Sequence, residues 1–358
     1  MMMMSLQQRI TAFVQLGHGL RALAASPDWP GFACGLTREE FDQVRSLMDT
    51  VKARNGWFTP EAVVQSFAAW GENLREEPLR QWLSVYQLPE IQESPATVAV
   101  ICAGNIPMVG FHDVLSILIT GHRALIKYSS DDDVLIPAVL QLLVRIEPGF
   151  APMIAWAEGK LHNFDAVIAT GSTNTSRYFH QYFSAYPHII RKGRTSVAVL
   201  TGDETEEELL GLGRDIFDYY GLGCRSVSKM YVPRGYVLDT FFKGIFSYSG
   251  VVNHNKYANN YDYNKAVWLL NNENLLDNGF ILLKEDTRVA SPTGSLYYEY
   301  YDDLNALEAS LEAQSEALQC IISRNHVPFG QSQAPGLADY ADGVDTIAFL
   351  QSLRVAAR

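Results

Sequence analysis

Lysine and arginine are nowhere clustered in this sequence, and the formal net charge is -12. That argues against a nucleic-acid partner, which would want a basic face. Cysteine is scarce. Cys34, Cys102, Cys224 and Cys320 stand far apart with no C-x-x-C, so neither a disulfide framework nor a zinc site is expected, and no metal site is assigned. No stretch reaches the roughly 18 to 20 apolar residues that a membrane-spanning helix needs. The first ten residues also lack a signal-type apolar run, so the expectation is a soluble cytoplasmic protein. Repeats and low-complexity tails are missing too. No G-x-G-x-x-G follows any candidate strand, so the usual dinucleotide fingerprint is absent.

What is present is an ordinary globular mixture, 47% hydrophobic and 19% charged over 358 residues, which is enough chain for two domains. Residues 5–90 read as mostly helical. Phe13, Leu16, Leu20 and Leu23 give one stripe, Phe41, Val44, Leu47 and Met48 another, and Pro60 suits the first turn of a third helix. Nothing in this region looks chemical, and it reads as a helical cap. From Pro95 the pattern changes. Apolar runs at 97–102, 124–128, 164–169 and 195–200 read as buried strands, with helical segments at 109–120, 131–146 and 174–183 between them. That alternation predicts a parallel sheet covered on both faces. Further on, strands are expected at 228–233, 280–284 and 295–301, helices at 263–276 and 304–321, and a final strand at 345–350.

Ligands of such sheets sit at the carboxyl ends of the strands. Three polar turns lie there, at Gly104 and Asn105, at 127–130, and at 170–173. The last sets Gly171 and Ser172 at a helix start, a ready anion site, and Lys127 at a strand end can reach a phosphate or a ribose. The stretch 218–228 reads as the centre of the chain. An amphipathic helix over 205–220 is broken by Gly221 and Gly223, and Cys224 follows at once. A thiol on such a turn is reachable, and the turn backbone can offer N–H groups to an oxyanion. Against this stands the commoner fate of a free cysteine, burial as a small hydrophobe.

Taken together these landmarks resemble the aldehyde dehydrogenase superfamily, and within it the acyl-CoA reductase (LuxC-type) family. The turn Ile101-Cys102-Ala103-Gly104-Asn105-Ile106-Pro107 resembles the superfamily turn whose asparagine lines the oxyanion hole. Lys127-Tyr128-Ser129 resembles its lysine-proline-serine, and 170–173 its glycine-serine-threonine turn. Gly221-Leu222-Gly223-Cys224 resembles the segment around the nucleophile, and 327–346 the C-terminal segment of acyl-CoA reductases. The resemblance covers about 95–350 and implies an α/β fold of aldehyde dehydrogenase type. Its parts are an N-terminal helical region over 1–94, a Rossmann-like parallel-sheet cofactor domain over 95–200, a second α/β catalytic domain over 201–345, and a C-terminal strand or tail over 346–358.

By the same resemblance Cys224 is the nucleophile and Asn105 the oxyanion donor. Lys127, Ser129, Gly171, Ser172 and Glu285 contact the cofactor, Glu285 as the glutamate that positions the nicotinamide ribose. The superfamily's water-activating glutamate has no counterpart, since residues 190–196 carry Arg191, Lys192 and Arg194 and no carboxylate. Those cations are either contacts for the phosphates of a carrier thioester or a solvated basic turn. The expectation is therefore reduction of an acyl-CoA or acyl-carrier thioester to an aldehyde, with NADPH (NADH possible) as cofactor, by a fatty acid reductase that self-associates. The alternatives are an oxidative aldehyde dehydrogenase making free acid, with Asp218 as a replacement base, and a non-catalytic scaffold that binds acyl carriers.

Overall fold

The fold is taken from a computed structural model, which describes residues 4–171 and 173–353. The chain divides into two compact units, residues 1–192 with 336–358, and residues 193–335.

The first unit opens with helices α1 (Leu6–Ala25), α2 (Arg38–Thr50), α3 (Pro60–Asn73) and α4 (Glu76–Leu83). Two of them start on capping boxes, Ser5 with Gln8 and Thr37 with Glu40, which satisfy backbone donors the helix leaves open. Then β1 (Thr97–Ile101), α5 (Phe111–Ile119), β2 (Arg123–Lys127), α6 (Leu135–Ile146), β3 (Ile154–Trp156), β4 (Ala166–Thr170), α7 (Thr173–Phe183) and β5 (His188–Arg191) form an alternating run. The five strands make one parallel sheet in the order β3-β2-β1-β4-β5. The helical cap and this sheet share one core, in which Phe13, Leu16, Phe41 and Phe67 of the cap join Phe111, Leu115, Val139 and Leu143.

The second unit holds β6 (Thr195–Val199), α8 (Glu206–Phe217), β7 (Val227–Pro233), α9 (Leu238–Gly244), α10 (Asn255–Leu270), β8 (Leu276–Asp277), β9 (Leu282–Glu285), β10 (Ser295–Tyr301), α11 (Leu304–Ala313) and β11 (Leu318–Ile322). Its sheet runs β11-β6-β7-β10-β9-β8, parallel except at the β8 edge. The chain then returns to the first unit, which α12 (Thr346–Ser352) completes.

Three expectations are corrected. The 195–200 run is a strand, but it pairs with β7 and β11 in the second sheet and not with the first. A short, largely buried parallel strand carries no mark of which sheet it joins. The helix expected over 304–321 ends at Ala313, and its apolar last turns are the strand β11. The strand expected at 345–350 is α12, because the Asp345 carboxylate caps it by accepting the Ala348 N–H at 2.8 Å, while Ile347 and Leu350 turn inward. Among the described residues no helix is long and apolar enough to cross a membrane.

Candidate active site

In the first unit the candidate residues gather at the carboxyl ends of β1, β2 and β4. Asn105 is exposed on the turn between β1 and α5. The turn is closely tied. Cys102 N–H donates to the Lys127 carbonyl at 3.0 Å, which extends the β1–β2 pairing past the strand end. Gly104 lies so near the β2 exit that a Cβ there would stand 2.7 Å from Ser129 Oγ and 2.9 Å from Asp131 Cβ. Asn55, buried just before α3, donates from Nδ2 to the Gly104 and Asp131 carbonyls, each at 3.2 Å. The Ser66 hydroxyl of α3 donates to the Pro107 carbonyl at 3.1 Å. Met108 is fully buried and left-handed, with φ 63°, a conformation that costs a non-glycine residue about 1–3 kcal/mol. Its N–H donates to Asp132 Oδ2 at 3.1 Å, and Asp132 Oδ1 accepts the Leu135 N–H at 3.3 Å at the start of α6. Burial pushes the Asp132 carboxyl up to about 6, against the pull of those backbone donors.

Lys127 Nζ donates to the Gly159 carbonyl at 2.9 Å, and Ser129 Oγ accepts the Asp131 N–H at 3.2 Å. Gly171 follows β4 at the start of α7, where a Cβ would stand 3.0 Å from Phe179 and 3.1 Å from Thr175, closer than van der Waals contact. The fold thus brings Asn105, Lys127, Ser129 and Gly171 to one sheet edge, whereas Ser172 lies outside the described residues.

In the second unit Cys224 is exposed, the others being buried (Cys34, Cys102) or partly so (Cys320). Burial also pushes the Cys102 thiol strongly up, which keeps it protonated. The approach to Cys224 is strained. Tyr219, Tyr220 and Gly221 are consecutively left-handed, with φ of 52°, 59° and 74°. Burial of Tyr219 and a Tyr220–His254 ring stack at 4.2 Å hold this path. Ser196, buried in β6, donates from Oγ to the Cys224 carbonyl at 2.9 Å and accepts the Cys320 N–H at 3.2 Å. The 327–335 segment comes to the same place. Asp215 of α8, fully buried, accepts the Gly330 and Ser332 N–H groups at 2.6 and 2.9 Å, and Gln333 Nε2 donates to Ser226 Oγ at 3.1 Å. Burial raises the Asp215 carboxyl against those donors.

Glu285 is not part of this cluster. It ends β9, level with Tyr298 of β10 and so with Met230 midway along β7, whereas Cys224 precedes the start of β7. There Glu285 lines a polar cavity of about 300 Å³ with Arg234, Asp286 and Glu299. Neither expectation for the 190–196 cations describes Arg191. Its Nη1 pairs with Asp113 Oδ2 at 2.5 Å and Nη2 donates to Thr346 Oγ1 at 3.0 Å, all inside the first unit and out of solvent. Arg194 caps the Ser315 and Leu318 carbonyls. Sequence reading missed Asn55, Ser66, Asp132, Ser196 and Asp215, because single polar residues in helical or apolar stretches carry no motif. Among the described residues no group of three or more His, Cys, Asp or Glu is placed to hold a metal ion.

A parallel sheet with its candidate residues on the carboxyl edge, and a second α/β unit carrying an exposed cysteine on a strained turn, make up an α/β fold of aldehyde dehydrogenase type. Residues 72–240 match the family model described as Acyl-CoA reductase (LuxC). No curated protein matches the chain. Solved structures do. The Δ-pyrroline-5-carboxylate dehydrogenase from Mycobacterium tuberculosis bound with NAD is 14% identical, covering 92% of this chain and 69% of its own, with a TM-score of 0.57. Aldehyde dehydrogenase 21 from Physcomitrella patens, in complex with succinate as reaction product, is 12% identical, covering 88% and 77%, with a TM-score of 0.58. An NADP dependent enzyme of E. coli is 15% identical, covering 89% and 73%, with a TM-score of 0.55. These relatives correct the expected direction of reaction. The neighbours named for an activity are dehydrogenases, which favours the oxidative alternative over reduction of a thioester by an acyl-CoA or fatty acid reductase.

Proposed function

We propose that the chain is an NAD(P)-dependent aldehyde dehydrogenase with the Cys224 thiolate as nucleophile. One observation carries the reading. Of four cysteines only Cys224 is exposed, and it follows three consecutive left-handed residues that bonded neighbours hold in place. Strain of this kind is kept where the surroundings over-determine it, and it gathers at working sites. The sheet edge of the first unit fits a dinucleotide. Lys127 and the Ser129 hydroxyl stand at the end of β2, and the α7 N-terminus follows Gly171 at the end of β4, a combination of cation, hydroxyl and helix N-terminus suited to phosphates. The chemistry that a bound nicotinamide nucleotide supplies is hydride acceptance.

The residues of the chain do the rest. The Cys224 sulfur adds to the aldehyde carbon, and the carbonyl electron pair moves onto oxygen. The Asn105 amide donates to that oxyanion. After oxidation the acyl group is a thioester on Cys224, and water cleaves it to the free acid and the thiol. Residues 190–196 offer no base, so we assign water activation to Asp218, half-buried where α8 ends and in the same segment as the cysteine. Self-association and a cytoplasmic location belong to the same proposal.

The test uses purified protein with hexanal and NAD+ or NADP+. Cys224→Ala abolishes turnover while nucleotide still binds. Asn105→Ala lowers kcat by about two to three orders of magnitude, and Lys127→Ala weakens nucleotide affinity more than alkylation of Cys224 by iodoacetamide. Mass analysis finds the trapped acyl group on Cys224. An adduct on Cys320 or Cys102 would overturn the assignment. Nucleotide binding with no turnover of any aldehyde would transfer the chain to the scaffold reading.

A further inference from the structure

The helical cap looks inert in sequence, yet two of its buried polar side chains end on the turn that carries Asn105. Asn55 holds the Gly104 carbonyl on one side of Asn105, and Ser66 holds the Pro107 carbonyl on the other. From the segment before α6, Asp132 holds the N–H of Met108, the residue forced into a left-handed conformation. All three are nine-tenths buried or more, and Asn105 between them is exposed. The ties are independent of one another in the chain, since they come from the segment before α3, from α3 itself and from the segment before α6. A turn needs no such frame merely to connect β1 with α5. A carboxylate buried at a turn is expensive to keep out of water, and simple packing would use an apolar side chain of similar volume. The frame is what an exposed amide needs if it is to meet developing charge without first being ordered.

We propose that Asn55, Ser66 and Asp132 are positioning residues, which hold the 104–108 turn so that the Asn105 amide is preset toward the reacting carbonyl oxygen. They act through the backbone of that turn and touch no substrate. The inference rests on the reading of Asn105 as the oxyanion donor, and the experiment separates the two. Asn55→Ala, Ser66→Ala and Asp132→Asn are each assayed with hexanal and NAD+ or NADP+, alone and combined with Asn105→Ala. A displacement of about 1 Å at a positioned group costs on the order of a hundred-fold in rate. Asn55→Ala is therefore expected to lower kcat by about ten- to a hundred-fold, with KM for hexanal, nucleotide affinity and the rate of Cys224 alkylation little changed. In the Asn105→Ala background the same substitution is expected to add almost nothing, because the group it positions is gone. Losses that multiply in the double variant would show an independent, structural role and overturn the inference. So would single variants with near-normal kcat beside a crippled Asn105→Ala. If Asn105→Ala itself keeps its kcat, the oxyanion reading fails first and the inference falls with it. Ser66→Ala removes a single oxygen, so the test stands even where the Asp132 variant folds poorly.

Discussion

His122 should make the first unit lose stability on mild acidification, in a way one substitution removes. The ring is buried in the turn between α5 and β2. Its Nδ1 accepts the Ala96 N–H at 3.0 Å at the entry to β1, and the Leu350 carbonyl of α12 takes its other hydrogen bond. The imidazole is thus held neutral with Nε2 protonated, and a second proton on Nδ1 would face the Ala96 N–H. Burial lowers its pKa from 6.5 to about 4. The folded state then binds fewer protons than the unfolded chain below pH 6.5. The contribution is fully present above 6.5 and is lost as pH falls toward 4. At about 1.36 kcal/mol per unit, the full loss is about 3 kcal/mol, of which about 2 has gone by pH 5. Asp132 works the other way. Its pKa is raised from 3.8 to about 6, so its contribution is present below 3.8 and lost as pH rises through 6. Between pH 7 and pH 5 it returns about 1.4 kcal/mol. The two nearly offset, leaving a net loss under about 1 kcal/mol in the parent protein. His122→Asn should instead gain roughly 1 kcal/mol on going from pH 7 to pH 5, and Asp132→Asn should lose roughly 2. Urea unfolding followed by tryptophan fluorescence reads the right unit, because Trp29, Trp57, Trp70, Trp82 and Trp156 lie in it and only Trp268 lies in the other. Equal pH dependence in the parent and in His122→Asn would refute the reasoning.

Arg191→Ala should destabilise the first unit by about 3–5 kcal/mol, because it leaves the Asp113 carboxylate buried and unpaired; replacing both by apolar residues should recover much of the loss in the same urea titration. Asp215→Ala should cost about 1–3 kcal/mol for each backbone donor it orphans. Since those donors are the Gly330 and Ser332 N–H groups, the 327–335 segment should be cut earlier in limited proteolysis; unchanged cleavage there would remove Asp215 from its anchoring role.

The parts of this fold that repeat a periodic pattern were legible in sequence, and the parts decided by a partner were not. Strand β2 buries Ala124 and Ile126 alone, while β1 and β4 are short runs rich in β-branched residues and buried on both faces. Strand β6 has the same character, and nothing local says that its neighbours are β7 and β11. Strand β11 follows α11 after a short polar break at 314–317, which a window wide enough to find helices smooths over. The apolar run of α12 is too short to show a period, and only the Asp345 cap gives its type away. At the candidate site the motif-bearing turns were readable because each carries glycine, asparagine or a hydroxyl beside an apolar run. The left-handed Met108, Tyr219 and Tyr220 were not, since these residue types do not advertise positive φ. Glu285 rests on the likeness of a short stretch, and the register of β9 against β10 sets it level with Tyr298, midway along β10. The burial of Arg191 was not legible, because its two partners, Asp113 and Thr346, stand far from it along the chain.

The return of the chain to its first unit has a consequence in time. Helix α12 covers part of α5, where His112 Nε2 meets the Leu337 carbonyl, and the Trp82 indole meets the Tyr340 hydroxyl at 2.7 Å. None of that can form until residues 193–335 have been made. At about 5–20 residues per second, those roughly 140 residues take on the order of 10–30 s to emerge from a ribosome. Throughout that interval the five-stranded unit has all its strands and lacks its closing helix. Trp82, the Asp113–Arg191 pair and the face of α5 wait in contact with water. A nascent chain of this protein therefore passes through a long-lived open stage with an aromatic seam on its surface, and a chaperone that favours such seams would find it there.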